Sequence, residues 1–216
     1  NSGDIHLPWT WREPPAEPLP GLPHPAVCRG GCTRFGEALF CGKALDDRAC
    51  FAALLRAAEL LRDEALDVDL YILGSVCEEV GGVGARVGAQ ALAPDFCVAV
   101  DVTHGRTLDS SKDESFAMGG GPAVGLGPNC ARWMVRRLLE KAEALDMAVQ
   151  KEVMEGSTGT NGWEMQIANE GIATAVLSIP LKYMHTPVEV VELSDVEDTA
   201  RLLAAFAAGL GKEAAQ

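Results

Sequence analysis

Three short, almost wholly apolar runs constrain this chain more than any other feature: Val68 to Leu73, Phe96 to Val102 and Thr174 to Ile179. Each is bounded by turn residues and too short for a buried helix, so each reads as a strand covered on both faces. Segments of helical periodicity separate them. Asp47 to Leu61 places Cys50, Leu54, Leu55, Ala58 and Leu61 on one side, and Ala131 to Leu145 follows a glycine-rich stretch. Ala148 to Met154 half-alternates like a strand, and Gly162 to Asn169 reads as a short helix. The last helix opens on a capping box, Ser194-Asp-Val-Glu197, carries Leu202, Leu203 and Phe206 as its apolar stripe, and stops at Gly209 and Gly211. Strands alternating with helices predict a layered α/β domain. The regular part is expected from about Gly36 to the end. Residues 1–35 are expected to be an irregular segment, since the first 26 carry seven prolines and two tryptophans without lasting periodicity.

A formal charge of −13 repels phosphate backbones and anionic lipid, which makes nucleic acid and membranes poor partners. No run of ~18 uncharged apolar residues occurs, and Asn1 to Glu13 lacks the order of a secretory signal, so a soluble, cytoplasmic protein is expected. The basic residues Arg132, Arg136, Arg137 and Lys141 read as a solvated helix face on which Arg136 meets Glu140. Seven cysteines, an odd number and mostly within apolar runs, suit buried reduced thiols. Cys28-x3-Cys32 lacks the second Cys/His pair of a structural zinc site.

Ligands collect at strand ends in such sheets, and four places there are polar: Asp46-Asp47-Arg48, Glu78-Glu79, Asp101 and His185. Each has a plain structural reading alone. Asp46-Asp47 could cap a helix, Glu78-Glu79 could be a solvated pair, Asp101 a turn residue, and His185 an ordinary histidine. Together, several carboxylates and one imidazole suit zinc, cobalt or manganese, because buried ionised carboxylates need a cation. Residue chemistry goes as far as a metal-dependent hydrolase.

Five strings carry the reading further: Gly42-Lys-Ala-Leu-Asp-Asp-Arg48, Ser75-Val-Cys-Glu-Glu-Val-Gly-Gly-Val-Gly-Ala85, Ala99-Val-Asp-Val-Thr-His104, Gly119-Gly-Gly-Pro122 and Ser178-Ile-Pro-Leu-Lys-Tyr-Met-His-Thr-Pro-Val-Glu189. In this order they resemble the tetrahedral and glutamyl aminopeptidases, co-catalytic metallopeptidases that include proteins labelled endoglucanase. The resemblance implies a three-layer α/β/α sandwich around a mixed, mostly parallel sheet. It implies two divalent metal ions bridged by Asp46, with Glu79 and His185 on one and Asp101 on the other. Asp47 would orient Asp46 across a cis peptide, and Glu78 would be the general base. Metal-activated water would then remove N-terminal residues from small peptides with a free amine, within a dimer or dodecamer of identical chains.

The chain departs from that pattern in lacking the family's upstream histidine motif, the first segment of the catalytic domain and most of the inserted domain. The second metal then keeps only Asp46 and Asp101, a weak set, unless His6 or His24 stands in. These departures also fit a non-catalytic homologue acting as an assembly or regulatory subunit. Thr160-Asn161-Gly162 stands where many relatives carry Asp after the Thr, which bears on substrate preference. Glycan hydrolysis by a Glu78/Asp101 pair leaves His185 and Asp46 unexplained.

Overall fold

A computed structural model describes residues 31–211. In chain order the elements are β1 (Thr33–Phe35), β2 (Leu39–Gly42), α1 (Leu45–Leu60), α2 (Val83–Leu92), β3 (Phe96–His104), β4 (Ala123–Leu126), α3 (Arg132–Ala144), β5 (Gln150–Val153), α4 (Asn161–Met165), β6 (Ala173–Lys182), β7 (Glu189–Glu192) and α5 (Leu193–Ala208). All seven strands share one mixed sheet. Its hub is β6, buried along almost its whole length. One edge of β6 takes β3 in parallel, from Phe96 opposite Ala173 to His104 opposite Leu181. The other edge is shared by β4 and β7, both antiparallel. Beyond them lie β5 on one side and the β1–β2 hairpin on the other.

The three-layer sandwich implied by the sequence is present. Helices α1, α3 and α5 cover one face and bury the main core, in which Met134, Leu138, Leu177, Ile179, Leu181 and Leu202 are all but inaccessible. Each such side chain contributes about 1.5–3 kcal/mol by leaving water. Helices α2 and α4 pack together over β3 and enclose a smaller cluster of Ala89, Ala168 and Ile172. Strand β3 divides the layers, since Cys97 packs with the small cluster and Val98 and Val100 with the main core.

Several expectations need correction. Val68 to Leu73 is not a strand. Residues 65–75 make no backbone to backbone hydrogen bond among the described residues, and Leu70 and Tyr71 are 48% and 58% exposed. An apolar run becomes a strand only where a neighbour takes its N–H and C=O groups, and the described residues supply none. The segment is instead wedged between helices, with Gly74 against Phe51 of α1 and Leu73 against Gly88 of α2. Glu78-Glu79 therefore follows an irregular segment rather than a strand. Strand β3 forms as expected but lies at an edge, its outer side unladdered among the described residues.

On α1 the buried positions are Leu45, Ala49, Cys50, Ala53 and Ala57, while Leu55 faces solvent. The capping box does not form: α5 starts at Leu193, and Ser194 donates to Glu192. Asp195, fully buried, instead accepts from the backbone N–H groups of Gly119 and Gly121. Arg136 and Glu140 form no ion pair among the described residues. Of the described cysteines, all free, only Cys50 and Cys130 are buried, so most of the thiols are more accessible than expected. Cys28, His6 and His24 lie outside the described residues.

Candidate metal centre

The chain between β2 and α1 turns at Ala44, whose φ of 54° is left-handed, and stays non-helical through Asp46 and Asp47. The Asp46–Asp47 peptide is cis. Regular helical geometry begins at Arg48, and the Asp46 carboxylate faces a second turn, the one after β6. There Tyr183 and His185 are also left-handed, with φ of 60° and 61°. The two turns meet side chain to side chain. His185 Nε2 lies 3.2 Å from Asp46 Oδ2 and 3.5 Å from Glu79 Oε2. Asp101 approaches from the edge strand β3 and is 7% exposed.

Two groups of candidate ligand atoms result, each with its members within 4.8 Å of one another. The first is Asp46, Glu79 and His185; the second is Asp46, Asp47 and Asp101. Asp46 belongs to both. The expected site residues are thus brought together, and Asp47 is itself a member of the second group. Glu78 borders the same cleft but is in neither group.

Crowding of negative charge is the electrostatic signature of this place. Burial, with Glu79 adding to it, pushes Asp46 up to about 6. Burial raises Asp47 to about 7 despite its contacts with Cys50, and burial beside Asp47 raises Asp101 to about 8. Glu78 is also raised, by burial first and then by Glu79 and Asp46. Asp47 Oδ1 is buried without a hydrogen-bond partner. No lysine or arginine forms an ion pair with any of these groups among the described residues. Carboxylates gathered without cationic side chains repel one another unless a cation joins them. The donor set therefore fits divalent metal: oxygen-rich with one imidazole, at ligand separations a single ion spans.

The cleft over these groups has a volume of about 440 Å³ and is walled by Thr160, Trp163, Glu164, His104 and Met184. Thr160 caps α4 by accepting from Gly162 N–H, and Asn161 donates to Ser75 Oγ beside the Glu78-Glu79 segment. Asn161 thus tethers the loop that carries Glu78 and Glu79. Sequence reasoning missed His104, Trp163 and Glu164 as cleft residues. It also assigned no role to Glu189, which closes the last of the five strings and heads the apolar Val190-Val191 pair.

An α/β/α sandwich with acidic groups and one imidazole gathered at the carboxyl end of its hub strand defines a candidate metallohydrolase centre. Residues 24–202 match the M42 glutamyl aminopeptidase family, and the chain belongs to that family. It is 39% identical over 174 residues to a lysyl aminopeptidase of Pyrococcus furiosus, covering 81% of this chain and 50% of that protein. The fold superposes on an aminopeptidase of the archaeon Desulfurococcus kamchatkensis at TM-score 0.77 with 32% identity, covering 84% of this chain and 52% of the other. It superposes at TM-score 0.70 and 27% identity on the TET1 peptidase of Pyrococcus horikoshii, described as assembling into a tetrahedron or a large octahedral shell; 83% of this chain and 53% of that one are covered. The chain spans about half the length of the curated relatives it matches.

Proposed function

We propose that this chain carries a metal-dependent aminopeptidase centre that releases N-terminal residues from small peptides. One observation supports this most: the two ligand groups share Asp46 while Glu78, in the same cleft, stays outside both. Asp46, Glu79 and His185 would hold one divalent cation, and Asp46 and Asp101, with Asp47 beside them, a second; zinc, cobalt and manganese all suit these donors. Such cations, when bound, supply Lewis acidity for the scissile carbonyl and a lowered pKa for water. Glu78 is left unligated, so its carboxylate takes a proton from water and returns it to the leaving amide nitrogen. Asp47 orients Asp46. The acidic cleft attracts the substrate's free α-ammonium group, which is the basis of exopeptidase rather than endopeptidase action. A cytoplasmic homo-oligomer completes this reading, by analogy with the assembly described for the Pyrococcus horikoshii relative.

A second reading, a non-catalytic assembly or regulatory subunit, is favoured by the second ligand group, which holds carboxylates and no imidazole. The experiment that decides is hydrolysis of free-amine and N-blocked peptides by the chain supplied with zinc or cobalt, with Glu78→Gln as control. Metal-dependent release of N-terminal residues, lost in E78Q and on blocked peptides, is expected. A folded chain that binds metal yet cleaves nothing would overturn the enzyme reading in favour of the subunit.

A further inference from the structure

Glu189 opens β7 opposite Gly42 of β2 and is 2% exposed. No lysine, arginine or histidine pairs with it among the described residues. Its carboxylate is held by backbone N–H groups instead. Oε2 accepts from Leu45 at 2.6 Å and from Asp46 at 3.1 Å, and Oε1 accepts from His185 at 3.1 Å. One oxygen grips the turn before α1, and the other grips the turn after β6. Both turns contain left-handed non-glycine residues, Ala44 on one side and Tyr183 and His185 on the other, a conformation that persists only where surroundings hold it.

We propose that Glu189 is a positioning residue that clamps the Asp46 turn to the His185 turn and sets the separation of two metal-holding side chains. This rests on the reading of the site as a metal centre. A carboxylate suits the task because it offers acceptors on both oxygens. Glutamine has one acceptor oxygen, and its amide nitrogen would face a backbone N–H, so Glu189→Gln can keep one turn but not both. Charge-assisted bonds to backbone N–H groups also fix the acceptor more firmly than neutral ones. Partners that orient metal ligands typically govern metal affinity by about 10–100-fold when altered.

The test titrates cobalt(II) into the full chain and its E189Q variant, following the visible absorption bands. In parallel, amide exchange is measured by NMR on the metal-free proteins, with Leu177 as internal reference. The clamp predicts at least about tenfold weaker cobalt binding and altered bands in E189Q, with faster exchange at the amides of Asp46 or His185 and no change at Leu177. Cobalt binding and bands like those of the unsubstituted chain would overturn it. Should the unsubstituted chain take up no cobalt, the metal reading fails by itself, and the exchange arm still judges the clamp. Unchanged exchange at both amides in E189Q then overturns it. Should E189Q not fold, the unsubstituted protein decides: Asp46 and His185 amides exchanging at free-peptide rates would overturn the clamp, and protected amides would support it.

Discussion

The two flanks of β6 differ in how they are built, and the candidate centre straddles them. On one flank β4, β5 and β7 continue the ladder, and α3 and α5 seal the core. On the other, among the described residues, β3 ends the sheet with an unladdered edge, and residues 65–75 run past α1 and α2 without backbone bonds. Asp46 and His185 are anchored to the closed flank through β7. Asp101 belongs to the edge strand, and Glu78 and Glu79 follow the unladdered segment. The difference teaches that Asp46 and His185 have a rigid support, whereas Asp101, Glu78 and Glu79 rest on backbone that is incompletely bonded among the described residues. Backbone groups left without partners are the ones from which local opening starts.

Truncating the closed flank should cost most. Leu138→Ala removes a fully buried side chain from α3 and should destabilise by about 2–5 kcal/mol in urea unfolding. Leu70→Ala on the open flank, measured the same way, should stay within about 0.5 kcal/mol. Equal losses would break the comparison.

Next in size is the effect of metal. Zinc or cobalt at a hundred times its dissociation constant should stabilise the chain by about 2.7 kcal/mol, read as a rise in Tm. The comparison sharpens if hydrogen exchange shows the added protection at residues 75–82 and β3, and it breaks if protection rises only around α5. Asp195→Ala, which orphans the N–H groups of Gly119 and Gly121 on the closed flank, should cost about 1–3 kcal/mol. A change within error would show that water replaces the carboxylate there.

The smallest expected effect is that of pH on the metal-free protein. Asp46, Asp47 and Asp101 keep protons up to about 6, 7 and 8 in the folded state, against 3.8 for an unperturbed Asp. Between those limits the folded state binds more protons than the unfolded one, so stability falls as pH rises from about 4 to 8. In the presence of a chelator, Tm should be higher at pH ~5 than at pH ~8 by at least about 3 °C, the shift that ~1 kcal/mol gives a domain of this size. Saturating metal should shrink the difference. An equal or higher Tm at pH ~8 without metal would show that the acidic cluster is not the liability described.

Much of this was legible in residue order. Asp46, Glu79, Asp101 and His185 stood out as polar residues beside apolar runs, and β3 and β6 announced themselves by composition. What stayed hidden depended on partners distant in sequence. Val68 to Leu73 has the composition of a strand, but composition cannot say whether a neighbour exists to bond it. Ser194 and Glu197 have the spacing of a capping box, yet β7 runs straight into α5 and the helix begins before Ser194. Glu189 was invisible as a support because its work is done on backbone groups, which carry no residue-specific signal.

The contact between Glu189 and Asp46 joins residues 143 apart in the chain. During synthesis the Asp46 turn therefore waits, unanchored, until nearly all of the described polypeptide has emerged. Contacts of such long sequence separation close late, because the loop between them must be ordered first. Formation of the first ligand group thus reports completion of the fold, and a chain stalled before β7 would already hold all four carboxylates of the two ligand groups without the geometry to use them.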